Sequence, residues 1–203
     1  VIEELWNVTG GKCIVCSDVG QHQMFIAQHF KFDRPRQWLN SGGLGTMGYG
    51  FPAAIGAQIA LPDEKVCVIS GDGSFQMNSQ ELSTCLQYHL PLKIIIMDNK
   101  ALGNVKQWQD MFYGGRHSET ILNDNPDFVK LAEAYGHVGM RILLPSELHD
   151  GLAEAFSDKY KDRLVLIDIR IDPEEKVFPM QLGGGAMCDI RFSETETTET
   201  ARK

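Results

Sequence analysis

Apolar residues along this chain gather in short runs separated by stretches of helical spacing, and the two alternate from end to end. Near the start, Ile2, Leu5 and Trp6 share one face of a helix. Cys13 to Ser17 is a short apolar run, and Gln21 to Phe30 reads as a helix. Phe51 to Leu61 is a helix rich in Ala, Ile and Gly, closed by Pro62-Asp63. Val66 to Ser70 is the next strand and stops at a glycine turn. Asn78, with Glu81 three residues on, predicts a capped helix through about Tyr88. Lys93 to Asp98 reads as a strand, Phe128 to Tyr135 as a helix and His137 to Ile142 as a strand. Glu147 to Tyr160 is a further helix, and Leu164 to Ile171 the last strand.

Strands that are apolar on both faces and separated by helices predict an α/β fold of three layers. Its centre is a mostly parallel sheet flanked by helices. In such sheets ligands bind at the carboxyl ends of the strands. No internal repeat is visible. Residues 1-192 read as one domain and residues 193-203, rich in Glu and Thr, as a flexible tail. The chain starts at Val1 without an initiator Met, inside the first helical pattern, which points to a piece of a longer protein.

Composition narrows the partners. With 27 acidic against 19 basic residues the net charge is -8, and no Lys/Arg stripe offsets it. That balance disfavours a binder of nucleic-acid backbone. Apolar runs such as Ile94 to Met97 are far too short to span a bilayer, so no membrane partner is expected either. Five scattered cysteines suit a reducing compartment, and a cytoplasmic location is expected. Cys13-Ile14-Val15-Cys16 has redox or zinc spacing. In a strand, however, positions three apart face opposite sides, and no second pair follows at zinc spacing. Buried thiols are the simpler reading.

Candidate chemistry lies in Gly71-Asp72-Gly73-Ser74 and, one helix and one strand later, Asn99 followed by Lys100-Ala101-Leu102-Gly103. Mg2+ takes a few oxygens from protein and the rest from phosphate and water. Glycines let backbone N–H groups approach a phosphate closely. Alone, Gly71 to Ser74 could equally be an ordinary turn. Asn99 and a second glycine-rich stretch, Ser41 to Gly50, raise it to a predicted Mg2+-diphosphate site. Taken by themselves, Met47 reads as core, and Trp108 as a partly exposed aromatic among polar neighbours. His22, after Gly20, reads as a phosphate contact.

The Gly-Asp-Gly…Asn pattern resembles the thiamine diphosphate signature. Ser17 to Met24, Ser41 to Pro52 and Val105 to Tyr113 extend the likeness. They are very similar to the C-terminal cofactor domain of the acetolactate synthase (acetohydroxyacid synthase) catalytic subunit, over roughly residues 1 to 190. The resemblance implies side-chain oxygens of Asp72 and Asn99 and the carbonyl of Ala101 as Mg2+ ligands. It implies a diphosphate held by Gly20, Gln21, His22, Gly71, Gly73 and Ser74, with Leu102, Gly103 and Asn104 closing over it. Gly45 and Met47 would lie against the cofactor, Met47 beneath its bend, and Trp108 would line the substrate channel. Two positions depart from the family pattern: Asn104 stands where Met is usual, and Asp98 replaces the first of two asparagines.

The implied reaction is decarboxylation of pyruvate and carboligation to a second 2-keto acid, in branched-chain amino acid biosynthesis. The family's activating glutamate lies in a separate N-terminal domain of a neighbouring subunit, and FAD in a middle domain. Neither fits in this chain, so it is expected to be inactive alone. A homo-oligomer (dimer or tetramer) and a regulatory small subunit are expected of the parent. Two rivals remain: another thiamine diphosphate enzyme, such as a 2-keto acid decarboxylase or oxidase, and a non-catalytic structural module. The segments around Trp108 and from Val177 to Gly185 argue against the first, and the intact Asp72 and Asn99 against the second.

Overall fold

The computed structural model describes residues 1–181, 184–186 and 188–195. Six strands form one sheet: β1 (Ile14–Ser17), β2 (Trp38–Leu39), β3 (Val66–Gly71), β4 (Lys93–Asp98), β5 (Val138–Ile142) and β6 (Val165–Arg170). Their order is β2-β1-β3-β4-β6-β5 and every pairing is parallel. The helices are α1 (Ile2–Thr9), α2 (Gln21–His29), α3 (Gly50–Ala60), α4 (Asp72–Phe75), α5 (Leu82–Gln87), α6 (Gly103–Phe112), α7 (Phe128–Ala134) and α8 (Leu148–Ala155). A small antiparallel pair, β7 (Met180–Gln181) and β8 (Ile190–Arg191), follows.

Alternation along the strands divides the core into two layers. Ile14, Cys16, Val66, Val68, Ile94, Ile96 and Leu166 face one side, where Phe51 and Ala54 of α3, Leu82 of α5 and Phe128 of α7 cover them. Val15, Cys67, Ile69, Ile95, Val165 and Ile167 face the other, under Leu5 of α1, Ile26 of α2 and Leu152 of α8. Burial of both faces is what makes these strands apolar without a break, and it supplies most of the driving force for folding. Cys13 and Cys16 fall in opposite layers, so they cannot act as a pair.

Several expectations need correcting. Asn78 caps no helix: its amide nitrogen donates to the Gly48 carbonyl at 2.6 Å, and its oxygen accepts from Gln80. The segment begins as a 3-10 turn, Ser79–Glu81, before α5. The long helix expected from Glu147 to Tyr160 is α8 flanked by two 3-10 turns. The sequence pattern assigns no element to residues 103–112, which form α6, nor to the two residues of β2. The flexible tail expected after residue 192 falls mostly outside the described residues.

Strand order reverses at β1, whose chain neighbour β2 lies on one side and β3 on the other. Connections leaving β1 and β3 therefore run to opposite faces of the sheet, and a crevice opens between their carboxyl ends.

Candidate functional site

A cavity of about 220 Å³ occupies that crevice. Val19, Gly20, Gln21 and His22 enter it after β1, and Gly71, Asp72, Gly73 and Ser74 after β3. Met97, Asn99, Ala101, Leu102, Gly103, Asn104 and Val105 come from β4 and the start of α6, Gly45 and Met47 from the glycine-rich loop, and Ile171 from beyond β6. All fourteen residues given a cofactor contact by the resemblance thus line one cavity. Val19, Met97, Val105 and Ile171, its apolar wall, were not among them. Trp108 is not in the wall. It sits on α6, 46% exposed, on the helix face that runs from the wall residue Val105 to the exposed Phe112.

Asp18 builds the near side. This buried carboxylate accepts from the backbone N–H of Val19 (2.9 Å), Gly48 (2.7 Å) and Gly50 (3.2 Å), tying the glycine-rich loop to the end of β1. Burial raises its pKa, and the three backbone bonds oppose the rise. A side chain at Gly50 would put its Cβ 2.6 Å from the Asp18 nitrogen, so the loop can close only over glycine. Ser74 Oγ donates to the Val19 carbonyl at 2.9 Å.

Two carboxylates sit together on the far side. Asp72 is buried, and its Oδ2 accepts from Asn125 Nδ2 at 2.6 Å. Burial holds its carboxyl well above the usual range; Asn125 pulls it down and the neighbouring Asp98 pushes it further up. Asp98 is ion-paired with Arg170 at 2.9 Å, its partner in the β4–β6 register, and accepts from the Lys100 N–H at 3.0 Å. The Asp98 charge is thus balanced across the sheet. A divalent cation beside Asp72 would offset the cost of burying its charge.

Between β4 and α6 the chain turns through Lys100, a non-glycine residue at φ 55. Asn99 Oδ1 accepts from the Ala101 N–H at 3.1 Å. The hydrogen bonds Leu102 N to Thr120 O and Leu122 N to Lys100 O anchor the turn to the following loop, each at 2.8 Å. This geometry brings a carboxylate, an amide oxygen and a peptide to one rim of the cavity.

Two buried polar atoms in the wall have no protein partner: His22 Nε2 and Asn104 Oδ1. Such atoms are costly unless a ligand or water meets them. Burial pushes the His22 pKa down to about 4, opposed by a hydrogen bond to the Asp18 backbone, so the ring is neutral near pH 7 and carries a single N–H. Among the described residues no group of three His, Cys, Asp or Glu side chains gathers to hold a metal. The oxygen set at Asp72, Asn99 and Ala101 suits a hard cation that keeps phosphate and water ligands, and it does not suit zinc. A Cβ at Gly73 would lie 2.5 Å from Leu102 Cδ2 and close the space between them. The residues present therefore fit a diphosphate with a divalent cation.

A crevice at the strand-order reversal, lined by glycine backbone and hard oxygens, defines a nucleotide- or cofactor-diphosphate-binding α/β domain. The chain belongs to the family described as thiamine pyrophosphate enzyme, C-terminal TPP binding domain, which it matches over residues 18–169. It is 56% identical over 198 residues to the acetolactate synthase isozyme 3 large subunit of Escherichia coli K12, covering 98% of this chain and 34% of the relative. It is 55% identical over 196 residues to the acetolactate synthase large subunit of Haemophilus influenzae, covering 97% of this chain and 34% of the relative. A probable acetolactate synthase large subunit of Methanocaldococcus jannaschii is 51% identical over 177 residues, covering 87% and 29% respectively. The chain thus spans about a third of the length of the relatives it matches.

Sequence reasoning passed over Asn125 and Gln107. Each makes a key contact far along the chain, Asn125 with Asp72 at 53 positions and Gln107 with Val177 at 70, which local sequence does not signal.

Proposed function

We propose that this chain is the diphosphate- and metal-binding half of an acetolactate synthase active site. The observation that carries the reading is the convergence of Asp72, Asn99 and Ala101 with the glycine backbone of Gly20, Gly71, Gly73 and Gly103 on one cavity. In the longer protein the reaction is decarboxylation of pyruvate and addition to a second 2-keto acid, a step of branched-chain amino acid synthesis in the cytoplasm. Thiamine diphosphate, when bound, supplies the acceptor for the electrons released as carbon dioxide leaves.

The chain's own residues bind and orient. Asp72 and Asn99 oxygens and the Ala101 carbonyl would hold Mg2+, and the backbone at Gly20, Gly73 and Gly103 would approach the diphosphate. His22 would meet a phosphate oxygen through Nε2 in the tautomer that carries its proton there. Met47 and Gly45 support the organic part of the cofactor, while Val19, Met97 and Ile171 keep water from it. Trp108 lies outside the cavity, on a surface that would become the channel wall once further domains cover α6. The activating glutamate, FAD, a homo-oligomeric partner and a regulatory small subunit belong to the remaining two thirds of the protein and its assembly.

Calorimetric titration of the chain with thiamine diphosphate and Mg2+ tests the binding half: it binds the pair, and Asp72→Ala abolishes binding. Undiminished binding by Asp72→Ala would sink the metal assignment. Assay of the same chain with pyruvate tests the division of the site. No acetolactate is expected, and robust turnover by the isolated chain refutes it. Acetaldehyde or acetate from the full-length protein would favour the decarboxylase or oxidase reading instead.

A further inference from the structure

Behind the cavity wall, a line of buried amides ends at Gln107 of α6, which is 1% exposed. Gln107 Oε1 accepts from the Val177 N–H at 3.0 Å, and its Nε2 donates to the Val177 carbonyl at 3.1 Å. These two bonds have opposite polarity. Only one of the two orientations of the Gln107 amide satisfies both, so the Val177 peptide sets it.

Gln107 Oε1 also accepts from Gln21 Nε2 at 2.9 Å, and the same nitrogen donates to the Glu175 carbonyl at 3.1 Å. Gln21 faces two acceptors on this side, so its own oxygen must point the other way. There Gln21 Oε1 accepts from Asn99 Nδ2 at 3.3 Å. With its nitrogen engaged, Asn99 keeps Oδ1 on the other side, where it accepts from the Ala101 N–H at 3.1 Å, a contact that favours the same orientation. An amide nitrogen is no ligand for Mg2+, so the orientation of this one group decides whether Asn99 can coordinate at all.

We propose that Gln107 is a positioning residue that passes the polarity of the Val177 peptide through Gln21 to Asn99, and so presents the Asn99 oxygen to a divalent cation. The proposal rests on reading the cavity as a Mg2+-diphosphate site. It gives the backbone at Glu175 and Val177 a part in cation binding, although neither residue is in the cavity wall. Partners that orient a metal's direct ligands are commonly worth about 10- to 100-fold in affinity.

The experiment is a calorimetric titration of Mg2+ into the chain saturated with thiamine diphosphate, with thermal unfolding of the unliganded chain alongside. Gln107→Leu keeps the volume and removes both polar atoms; its Mg2+ dissociation constant is expected to rise about tenfold or more. Gln107→Glu keeps an oxygen toward Gln21 and the Val177 N–H but sets another against the Val177 carbonyl. It is therefore expected to unfold at lower temperature while holding Mg2+ nearly as well as the unaltered chain. Lower unfolding temperatures with an unchanged Mg2+ constant in Gln107→Leu overturn the relay, as does equal weakening in Gln107→Glu. Should Gln107→Leu fail to fold, Gln107→Met carries the same comparison. If the unaltered chain binds no more Mg2+ and thiamine diphosphate than Asp72→Ala does, the site reading falls and the relay with it. If the unaltered chain binds and Gln107→Leu binds equally, only the relay falls.

Discussion

Asn125 Nδ2 lies 2.6 Å from Asp72 Oδ2, although 53 residues separate the two. The contact fixes one carboxylate oxygen as an acceptor. It also lowers the cost of a charge that burial and Asp98 both resist. Asn125→Leu is expected to weaken Mg2+ binding about tenfold in a calorimetric titration. An unchanged constant would mean that Asp72 needs no outside support.

Gly103 opens α6 against the cavity. A methyl group there would collide with Gln21 Oε1 and lie 2.5 Å from Asn99 Nδ2. Gly103→Ala is expected to destabilise the chain by about 1–3 kcal/mol and to weaken binding of Mg2+ with thiamine diphosphate. Gly43, exposed and with nothing within 4 Å of an added Cβ, provides the control. Gly43→Ala should stay within about 0.5 kcal/mol of the unaltered chain in urea denaturation.

His22 makes the fold sensitive to mild acid. Burial lowers its pKa from 6.5 to about 4, so between those values the unfolded chain binds the proton and the folded chain does not. Its contribution is complete above pH 6.5 and is lost as pH falls toward 4, on the order of 3 kcal/mol. Denaturation curves at pH 7 and pH 4 should therefore show a larger loss for the unaltered chain than for His22→Gln. Parallel losses would mean that His22 is hydrated enough to take up a proton when folded.

Thiol chemistry offers a simple check on the core. Burial pushes the thiols of Cys16 and Cys85 up to about 12, and those of Cys13 and Cys67 rise as well, whereas Cys188 is exposed. A thiol reagent at pH 8 should label Cys188 rapidly and the other four only after denaturation. Fast labelling of Cys13 or Cys16 would mean that β1 opens readily.

Much of this was legible in the sequence, for a physical reason. Runs such as Val66 to Ile69 and Ile94 to Met97 are buried on both faces, so their pattern announces a covered parallel strand. Asp72 and Asn99 follow such runs directly, where the fold itself opens the crevice. What stayed hidden depends on partners distant in the chain. Asn78 has the local form of a cap, yet the Gly48 carbonyl takes its nitrogen. Residues 103–112 begin with glycine and hold Lys106 and Gln107 buried, because Glu174 and Val177 supply their partners. Trp38–Leu39 is too short for any periodicity to register.

Asp72 directly follows β3, and Asn99 directly follows β4. Gly71 stands opposite Met97, so the two oxygens meet only in that alignment of neighbouring strands. A slip of one residue would carry Asn99 about 3.3 Å along the sheet and turn its side chain to the opposite face. On the proposed function, cation loading would double as an inspection of how the chain was assembled: a domain whose central strands had settled one step out of line would stay empty.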